Sequence, residues 1–341
     1  MNTYLMKKAM IETAVTRGIH EMEEDPERSV RRLIDLGRQF SKNRFQDQIF
    51  SVMQKSLTNE NSAYYDMVHN LMKNSDHAAM KEFGVNFGYM GWTYGAARIR
   101  ETEKKEGVCI PWCIMLRYDP AGRNGYSMEQ LAHLFEQGQD LGIYVYFIRE
   151  RGTGDSYELL ELLERYKDCA FVWVKEDGRL TAAQIQVLRA CRNTLVMLPA
   201  DTENTEPLLT AALLREQKIL FAMYASYDLD PDEERRRKIV ENVLTSESSL
   251  FFLVAQDGAK ANLRQLAYDS RLRQNYPFVE VDYYGDAEAI GKIVAEHQSL
   301  LEIDSDGTIL RPACGGTGFD FGIPLMEELR NIMPAWKAAG R

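Results

Sequence analysis

The sequence lacks the segments that would place the protein in a membrane or mark it for export. No run of about 18 apolar residues, the length that a transmembrane helix needs, occurs among its 341 residues. The N-terminus carries no apolar stretch long enough for a signal peptide. Five cysteines are an odd number for so long a chain, which favours reduced thiols over a disulfide framework. We therefore expect a cytoplasmic protein that has no membrane partner.

Basic residues are also fewer than acidic residues. The 41 Lys and Arg residues are outnumbered by 51 Asp and Glu residues, which gives a formal net charge of −10. Because binding to nucleic acid needs a basic surface that neutralises phosphates, we expect no nucleic-acid partner. The hydrophobic share of 45% and the charged share of 27% are ordinary for a globular protein and exclude wholesale disorder.

Complete catalytic and cofactor-binding motifs are missing as well. Neither the phosphate-binding loop of NTPases nor the dinucleotide-binding glycine pattern is present in full. The nearest approaches, at 151–154 and 315–318, are equally typical of a tight turn between a strand and a helix. The five histidines are isolated along the chain, so the sequence offers no zinc-binding helix and no Ser-His-Asp or Cys-His arrangement.

Two patterns of apolar residues divide the chain near residue 106. Up to that point apolar residues recur every three or four positions, for example from Val30 to Phe40, which predicts an antiparallel helical domain over 1–106. From Gly107 onward, short apolar runs alternate with amphipathic segments. The predicted strands are 112–118, 143–148, 170–174, 194–198, 220–227, 250–255 and 278–283.

This alternation, repeated six times, predicts a parallel sheet with crossover helices over 107–341. Ser127 and Thr181, each followed three residues later by Gln, are typical capping boxes at helix starts. The simplest architecture for this sheet is a partial barrel. Hydrophobic periodicity does not exclude a doubly wound sheet, which is the alternative. The Asp306-Gly307 pair predicts a hairpin turn within 300–310, and a last helix is expected over 325–333.

Four cations lie at or near the C-terminal ends of the first three predicted strands. They are Arg117, Arg149, Arg151 and Lys175. Parallel α/β folds bind ligands at these strand ends, and Arg suits carboxylate and phosphate groups. We therefore consider the four as a candidate anion pocket. The alternative is that they pair with nearby acids, namely Glu150, Asp155, Glu176 and Asp177.

Several segments of the barrel half carry a resemblance to a known family. They are 109–116, with a C-x3-C spacing at Cys109 and Cys113, the Asp119-Pro120 pair, and the helix that ends before Ile143. Together they resemble a group of bacterial radical SAM proteins, and the similarity extends over nearly the whole chain. The resemblance implies an α/β fold, a partial (β/α)6 TIM-like barrel of the radical SAM type with an N-terminal all-α helical domain.

The sequence departs from that family where the family carries out its chemistry. The family's loop after the first strand supplies three cysteines to a [4Fe–4S] cluster, but the corresponding residues 121–126 contain none, and Leu116 occupies the third position of the C-x3-C-x2-C set. Residues 149–154 replace the Gly-Gly-Glu-Pro-like motif that meets S-adenosylmethionine, and Cys314 alone remains of the C-terminal cysteines. No catalytic residue of the family therefore carries over, and we expect neither the iron–sulfur cluster nor S-adenosylmethionine binding.

Three functions are open at this point. The first is a non-catalytic binding, scaffold or regulatory protein for an active relative or another protein subunit. The second is a repurposed barrel that binds or converts a small anionic molecule at the strand ends. The third, a cluster held by Cys109, Cys113 and Cys314, conflicts with the position of these cysteines outside the family's cluster loop. The lack of any complete replacement motif favours the first and argues against catalysis.

Overall fold

The computed structural model describes residues 3–24, 62–121, 125–152, 154–229, 232–256, 262–295 and 300–311. The chain forms two compact units. Unit 1 comprises Met1–Glu82 and Met197–Asp286, and unit 2 comprises Phe83–Val196 and Ala287–Arg341. The helices predicted within 26–57 and over 325–333 lie outside the described residues.

Helices precede strands, as the change of periodicity near residue 106 predicts. The described helices of the first part are α1 Thr3–Glu24, α2 Tyr64–Asn74, α3 His77–Val85, the π-helix Asn86–Gly95 and α4 Ala96–Glu106. The elements that follow are β1 Cys113–Tyr118, α5 Met128–Leu141, β2 Val145–Glu150, α6 Tyr157–Arg165, β3 Ala170–Lys175, α7 Ala182–Leu188, β4 Thr194–Pro199, α8 Glu206–Glu216, β5 Phe221–Tyr227, α9 Glu233–Ser246, β6 Leu250–Ala255, α10 Leu263–Arg273, β7 Val279–Asp282, α11 Tyr283–Val294, β8 Leu301–Ile303 and β9 Ile309–Arg311.

In unit 2, β1, β2 and β3 pair in parallel and in chain order. β8 pairs in parallel with the other side of β1, and β9 pairs antiparallel with β8. In unit 1, β5, β6 and β7 likewise pair in parallel and in chain order. Within each unit the parallel strands and their crossover helices confirm the predicted α/β pattern, and these strands lack the reversal of order that a doubly wound sheet has.

Local sequence signals account for the starts and ends of several elements. The capping boxes predicted at Ser127 and Thr181 are both present, and they begin α5 and α7. Gly142, at φ 100°, ends α5 in the left-handed conformation that glycine tolerates best. The predicted hairpin turn is also confirmed, because Gly307, at φ 92°, donates its backbone N–H to the carbonyl oxygen of Asp304 at 3.0 Å.

Successive side chains of a strand point to opposite faces of the sheet, and in unit 2 the two faces meet different neighbours. On one face, Tyr146 packs against Phe135 of α5 with ring centroids 4.8 Å apart. We call this the helix-covered face. On the other, which we call the opposite face, Phe147 contacts Phe87 of the π-helix with centroids 6.4 Å apart. The π-helix approaches β2 closely because Gly91 has no side chain, since a Cβ there would lie 2.7 Å from Cγ2 of Val145.

Apart from its strands, unit 1 contains a small helical core. Ile19 and Met22 of α1 pack with Val68 and Met72 of α2. These residues recur at three- and four-residue intervals, so each helix buries one apolar stripe. In the structure, helices are followed by strands at the predicted boundary between residues 106 and 107. That this boundary separates two domains stays a prediction.

Glu247, directly after α9 in unit 1, links helices that are distant in sequence. Its carboxylate accepts a hydrogen bond from Nδ2 of Asn74 at 3.0 Å and pairs with Nη1 of Arg215 at 2.6 Å. The Asn74 hydrogen bond, with Arg215 and Lys73, lowers the pKa of the Glu247 carboxyl below its ordinary value. An acid whose pKa is lower in the folded state contributes stability at neutral pH, and that contribution is lost as the pH falls through the lowered pKa.

We therefore expect Glu247→Gln to destabilise the protein at pH 7 and to have a progressively smaller effect as the pH falls below about 4.5. Urea unfolding of wild type and variant between pH 7 and pH 3 measures the difference. Glu216→Gln, at an exposed carboxylate of α8, serves as the control. A destabilisation by Glu247→Gln that is constant over this pH range would contradict the assignment.

Candidate functional site

The four cations predicted to form one anion pocket all lie in unit 2, but on two faces of its sheet. Arg117 and Arg149 are register partners on neighbouring strands, so both lie on the opposite face with Phe147. Lys175 is the register partner of Glu150 and lies with it on the helix-covered face. Arg151 follows β2 and shares a carboxylate with Arg149. The strand alternation thus separates Lys175 from the three arginines.

Lys175 belongs to a buried ionic cluster at the ends of β2 and β3. Its Nζ contacts Oε1 of Glu150 and lies 3.4 Å from Oδ1 of Asp177. The second oxygen of Glu150 accepts hydrogen bonds from Nε1 of Trp173, at 2.8 Å, and from the hydroxyl of Ser156. Glu150 is completely buried and Lys175 is 2% exposed. The carboxylate is therefore paired and hydrogen-bonded on both oxygens, as a buried charge requires.

Burial and the surrounding ionic cluster have opposite effects on the pKa of Glu150. Removal from water raises the pKa of its carboxyl above the ordinary value, while Lys175, Ser156 and Trp173 act to lower it. All three partners are needed to offset the cost of burial, because an ionised carboxylate without them has a very unfavourable free energy in the protein interior. Ser156 immediately precedes α6 and Trp173 lies on β3, so the cluster fastens the β2–α6 connection to the neighbouring strand. This arrangement indicates a structural role for Lys175.

Arg117 is also buried in an ion pair, on the opposite face. Its Nε lies 3.0 Å from Oε1 of Glu302 in β8, and the two side chains are 6% and 5% exposed. Nε of Arg311, in β9, lies 3.3 Å from the second oxygen of Glu302. The edge hairpin therefore supplies the carboxylate that neutralises Arg117.

Arg149 and Arg151 form the more exposed part of the predicted site. Nε of Arg149 lies 2.5 Å from Oε1 of Glu176, and Nε of Arg151 lies 3.9 Å from the same oxygen. The side chains of Arg149, Arg151 and Glu176 are 18%, 43% and 29% exposed. A negatively charged ligand could therefore reach these two guanidinium groups from solvent, which the buried positions of Arg117 and Lys175 do not allow.

Sequence reasoning identified some of these contacts and missed others. The alternative of pairing with nearby acids named Glu150, Glu176 and Asp177, and all three pair with the predicted cations. Glu302 and Arg311 were not identified, because they follow Arg117 by more than 180 residues, and Glu302 meets Arg117 only through the β1–β8 pairing. The one signal for them is a charged Glu within the otherwise apolar run 300–303.

The cysteines do not form a ligand set in the part of the chain that the structure describes. Cys113, Cys169 and Cys191 are free and buried. Burial raises the pKa of the Cys113 thiol well above its ordinary value, which opposes the thiolate form that binds iron. Cys109 is also completely buried. Within the described ranges, no group of three or more His, Cys, Asp or Glu side chains is arranged to hold a metal ion.

None of the described helices is both long and apolar enough to cross a lipid bilayer. This agrees with the absence of long apolar runs from the sequence.

Comparisons with known proteins give a fold but no sequence family. No family model matches the chain, and no curated protein matches it. Among solved structures, SuiB of Streptococcus suis bound to S-adenosylmethionine has a TM-score of 0.51 at 13% identity, over 70% of this chain and 68% of SuiB. SuiB bound to the precursor peptide SuiA has a TM-score of 0.50 at 14% identity, over 71% and 68%. A further SuiB structure has a TM-score of 0.52 at 12% identity, over 70% of each chain.

At this level of identity the likeness concerns the fold alone, because one fold supports many unrelated functions. SuiB is a radical SAM enzyme with a TIM-like partial barrel. The fold class expected from the sequence is therefore confirmed: this chain has the mixed α/β, partial-barrel fold of the radical SAM enzymes.

Proposed function

We propose that this protein is a cytoplasmic binding, scaffold or regulatory subunit that uses a radical SAM-type barrel without the cluster and S-adenosylmethionine chemistry. The observation that carries the proposal is the connection between β1 and α5. Residues 121–126 follow β1, where the resemblance to the radical SAM family puts the cluster loop, and they contain no cysteine. A [4Fe–4S] cluster needs thiolates at this place, and an open iron is what would chelate S-adenosylmethionine.

The donor atoms that are available elsewhere do not fit the cluster either. Cys113 lies inside β1 and is completely buried, so it cannot serve as a loop ligand. Cys109 is completely buried as well, and burial opposes the thiolate form that a cluster ligand needs. A cluster assembled from Cys109, Cys113 and Cys314 therefore has little chemical support, and we assign no reaction step to an iron–sulfur group.

The proposed partner is another protein or peptide. SuiB, which has a similar fold, was solved in a complex with a precursor peptide. A barrel that keeps its strands and core but not its cluster can still position a chain or present it to an active relative. The buried ion pairs at Glu150 and Glu302 favour this interpretation, because they use two of the four strand-end cations for packing.

The cofactor part of the proposal is tested by anaerobic reconstitution with iron and sulfide, followed by addition of S-adenosylmethionine and a reductant. We expect no iron–sulfur absorption, no stoichiometric iron and no cleavage of S-adenosylmethionine. SuiB treated in parallel is the positive control. Iron bound in stoichiometric amount, together with cleaved S-adenosylmethionine, would contradict the proposal.

The partner part is tested by native mass spectrometry of the protein purified without oxygen and without added cofactors. We expect a species whose mass is that of this chain plus a second protein subunit. A strictly solitary chain, or a chain carrying only a small molecule, would contradict the partner assignment.

A second candidate function, binding of a small anion at the strand ends, is favoured by one observation. Arg149 and Arg151 share a single carboxylate at a partly exposed position, which leaves this group of three side chains with a net positive charge. Arg pairs well with carboxylate and phosphate groups. Arg117 and Lys175 belong to the predicted pocket but have buried partners, so we propose Arg149 and Arg151 as its ligand-binding residues.

We expect Arg149→Ala combined with Arg151→Ala to weaken binding of a small carboxylate or phosphate by at least tenfold, because two charge-assisted contacts are lost. Isothermal titration with succinate and with inorganic phosphate at low ionic strength measures the effect. Arg165→Ala, at an exposed arginine of α6, controls for the loss of positive charge. Unchanged affinity in the double variant would contradict anion binding at this position.

A further inference from the structure

In unit 1, one ion pair uses only part of the hydrogen-bonding capacity of its two side chains. Nη2 of Arg236, in α9, lies 2.6 Å from Oε1 of Glu280, in β7. Nη1 of Arg236 and Oε2 of Glu280 are both buried, and neither has a hydrogen-bond partner among the described residues. A side-by-side pair would engage two nitrogens and two oxygens, so this pair leaves one donor and one acceptor unused.

The hydroxyl of Tyr227, at the end of β5, is a third group of this kind near the pair. Tyr227 is completely buried, and its oxygen has no hydrogen-bond partner within the part of the chain that the structure describes. Met223 of β5 is in register with Phe251 of β6, which is in register with Glu280. Tyr227 follows Met223 by four residues, so it lies on the same face of the sheet as Glu280. Burial raises the pKa of Tyr227, while Arg236 lowers it and Glu280 raises it, which places the hydroxyl within electrostatic range of both.

The side chains packed around this carboxylate do not supply the missing hydrogen bonds. Burial raises the pKa of the Glu280 carboxyl, and Arg236, Ser270 and Arg271 lower it. Ser270 and Arg271 therefore lie near the carboxylate, but Oε2 has no hydrogen bond from either of these described residues. Folded proteins pair nearly all buried polar side-chain atoms, because an unmade hydrogen bond leaves the desolvation of its group uncompensated. The three unpartnered atoms together indicate a small bound molecule.

The chemistry of the three groups defines the ligand. Nη1 of Arg236 can only donate a hydrogen bond, an ionised Oε2 of Glu280 can only accept one, and the hydroxyl of Tyr227 can do either. Because the charges of Arg236 and Glu280 cancel, the site favours a neutral molecule that is both donor and acceptor. Tyr227 and Glu280 are inaccessible to solvent, which favours the smallest such molecule, water. Buried water typically makes about three hydrogen bonds to groups that are otherwise unpartnered.

We propose that Tyr227, Arg236 and Glu280 form a binding site for one ordered water molecule between α9 and the sheet of unit 1. The water accepts a hydrogen bond from Nη1 of Arg236, donates one to Oε2 of Glu280 and makes its third with the hydroxyl of Tyr227. It thereby connects α9 to β5 as well as to β7, whereas the direct ion pair reaches only β7. The site is independent of the proposed partner and of anion binding at the strand ends.

The sign of one substitution distinguishes a water-bridged site from a dry one. If water bonds to the hydroxyl, Tyr227→Phe removes a hydrogen bond, and we expect the equilibrium constant of unfolding to rise about threefold to tenfold. If the hydroxyl is dry, the same change removes an unpartnered buried group, so the constant should stay the same or fall. Urea unfolding at pH 7 measures the constant. Tyr268→Phe, at an exposed tyrosine of α10, is the matched control and should leave it unchanged.

A crystal structure of the wild-type protein locates the ligand directly. We expect the electron density of one water molecule within hydrogen-bond distance of Nη1 of Arg236, Oε2 of Glu280 and the hydroxyl of Tyr227. A side-by-side Arg236–Glu280 pair with no water overturns the proposal, because the pair would then satisfy its own groups. Density too large for one water overturns the assignment of the ligand. A constant of unfolding that is unchanged or lower in Tyr227→Phe overturns the role of the hydroxyl.

Discussion

Lys175→Met is expected to lower the free energy of unfolding by about 3–5 kcal/mol, because it leaves the carboxylate of Glu150 buried without its cation. Glu150 is completely inaccessible to solvent, so water cannot replace the lost partner. The hydrogen bonds from Ser156 and Trp173 remain but neutralise no charge. Met keeps a similar length and an apolar stem, which limits the loss of packing. Urea unfolding followed by tryptophan fluorescence measures the change.

Two further variants distinguish the loss of the ion pair from a general loss of packing. Lys167→Met removes the cation of an exposed pair with Glu164 and should change stability by less than about 1 kcal/mol. Combining Lys175→Met with Glu150→Gln removes the unpaired charge and should recover a large part of the lost stability. A double variant that is as unstable as the sum of its single changes would contradict the role assigned to the ion pair.

Gly138→Ala in α5 is expected to destabilise the protein by about 1–3 kcal/mol through overpacking. A Cβ at this position would overlap the hydroxyl oxygen of Tyr146 and lie 3.1 Å from its Cζ atom. Tyr146 cannot move away easily, because its ring packs against Phe135 and Phe171 with centroids 4.8 and 5.5 Å apart. All of these groups are fully buried, so none of them can move into solvent to relieve the clash.

Gly84→Ala is the matched control for this prediction. Gly84 also lies in a helix, α3, but a Cβ there would meet no atom within 4 Å. We expect this change to be neutral or to stabilise by up to about 1 kcal/mol, since Ala restricts the unfolded chain more than Gly does. Combining Gly138→Ala with Tyr146→Phe removes the overlapping oxygen, so the pair should cost less than the sum of the single changes. Strict additivity in urea unfolding would contradict the proposed clash.

The ionic contacts of unit 2 illustrate how far neighbours in sequence determine a site. Lys175 meets Glu150 because β2 and β3 are consecutive parallel strands, and their register follows from the apolar runs that form them. Arg149 meets Glu176 for the same reason. The acids near these cations could therefore be named from the sequence once the strand order was expected. Glu302 required the pairing of β1 with β8, which no local pattern predicts.

Within the described residues, the sequence by itself determined where several helices and turns begin and end, and it determined the class of fold. Apolar periodicity changes at Gly107, Ser127 and Thr181 cap their helices, and Asp306-Gly307 turns the hairpin. These features act over a few residues, so the local sequence is sufficient to specify them. The absence of cysteine from residues 121–126 is likewise a property of the sequence alone, and the proposed function depends on it.

Only the tertiary structure decided which predicted cations share a surface. Along a strand, a shift of one residue moves a side chain to the other face, so Lys175 points away from Arg149 although both lie at strand ends. Burial then separates the cations again, because Arg117 and Lys175 are held in buried ion pairs while Arg149 and Arg151 reach solvent. Exposure and pairing depend on elements brought together from distant parts of the chain, and for that reason the sequence could name the four cations but could not group them.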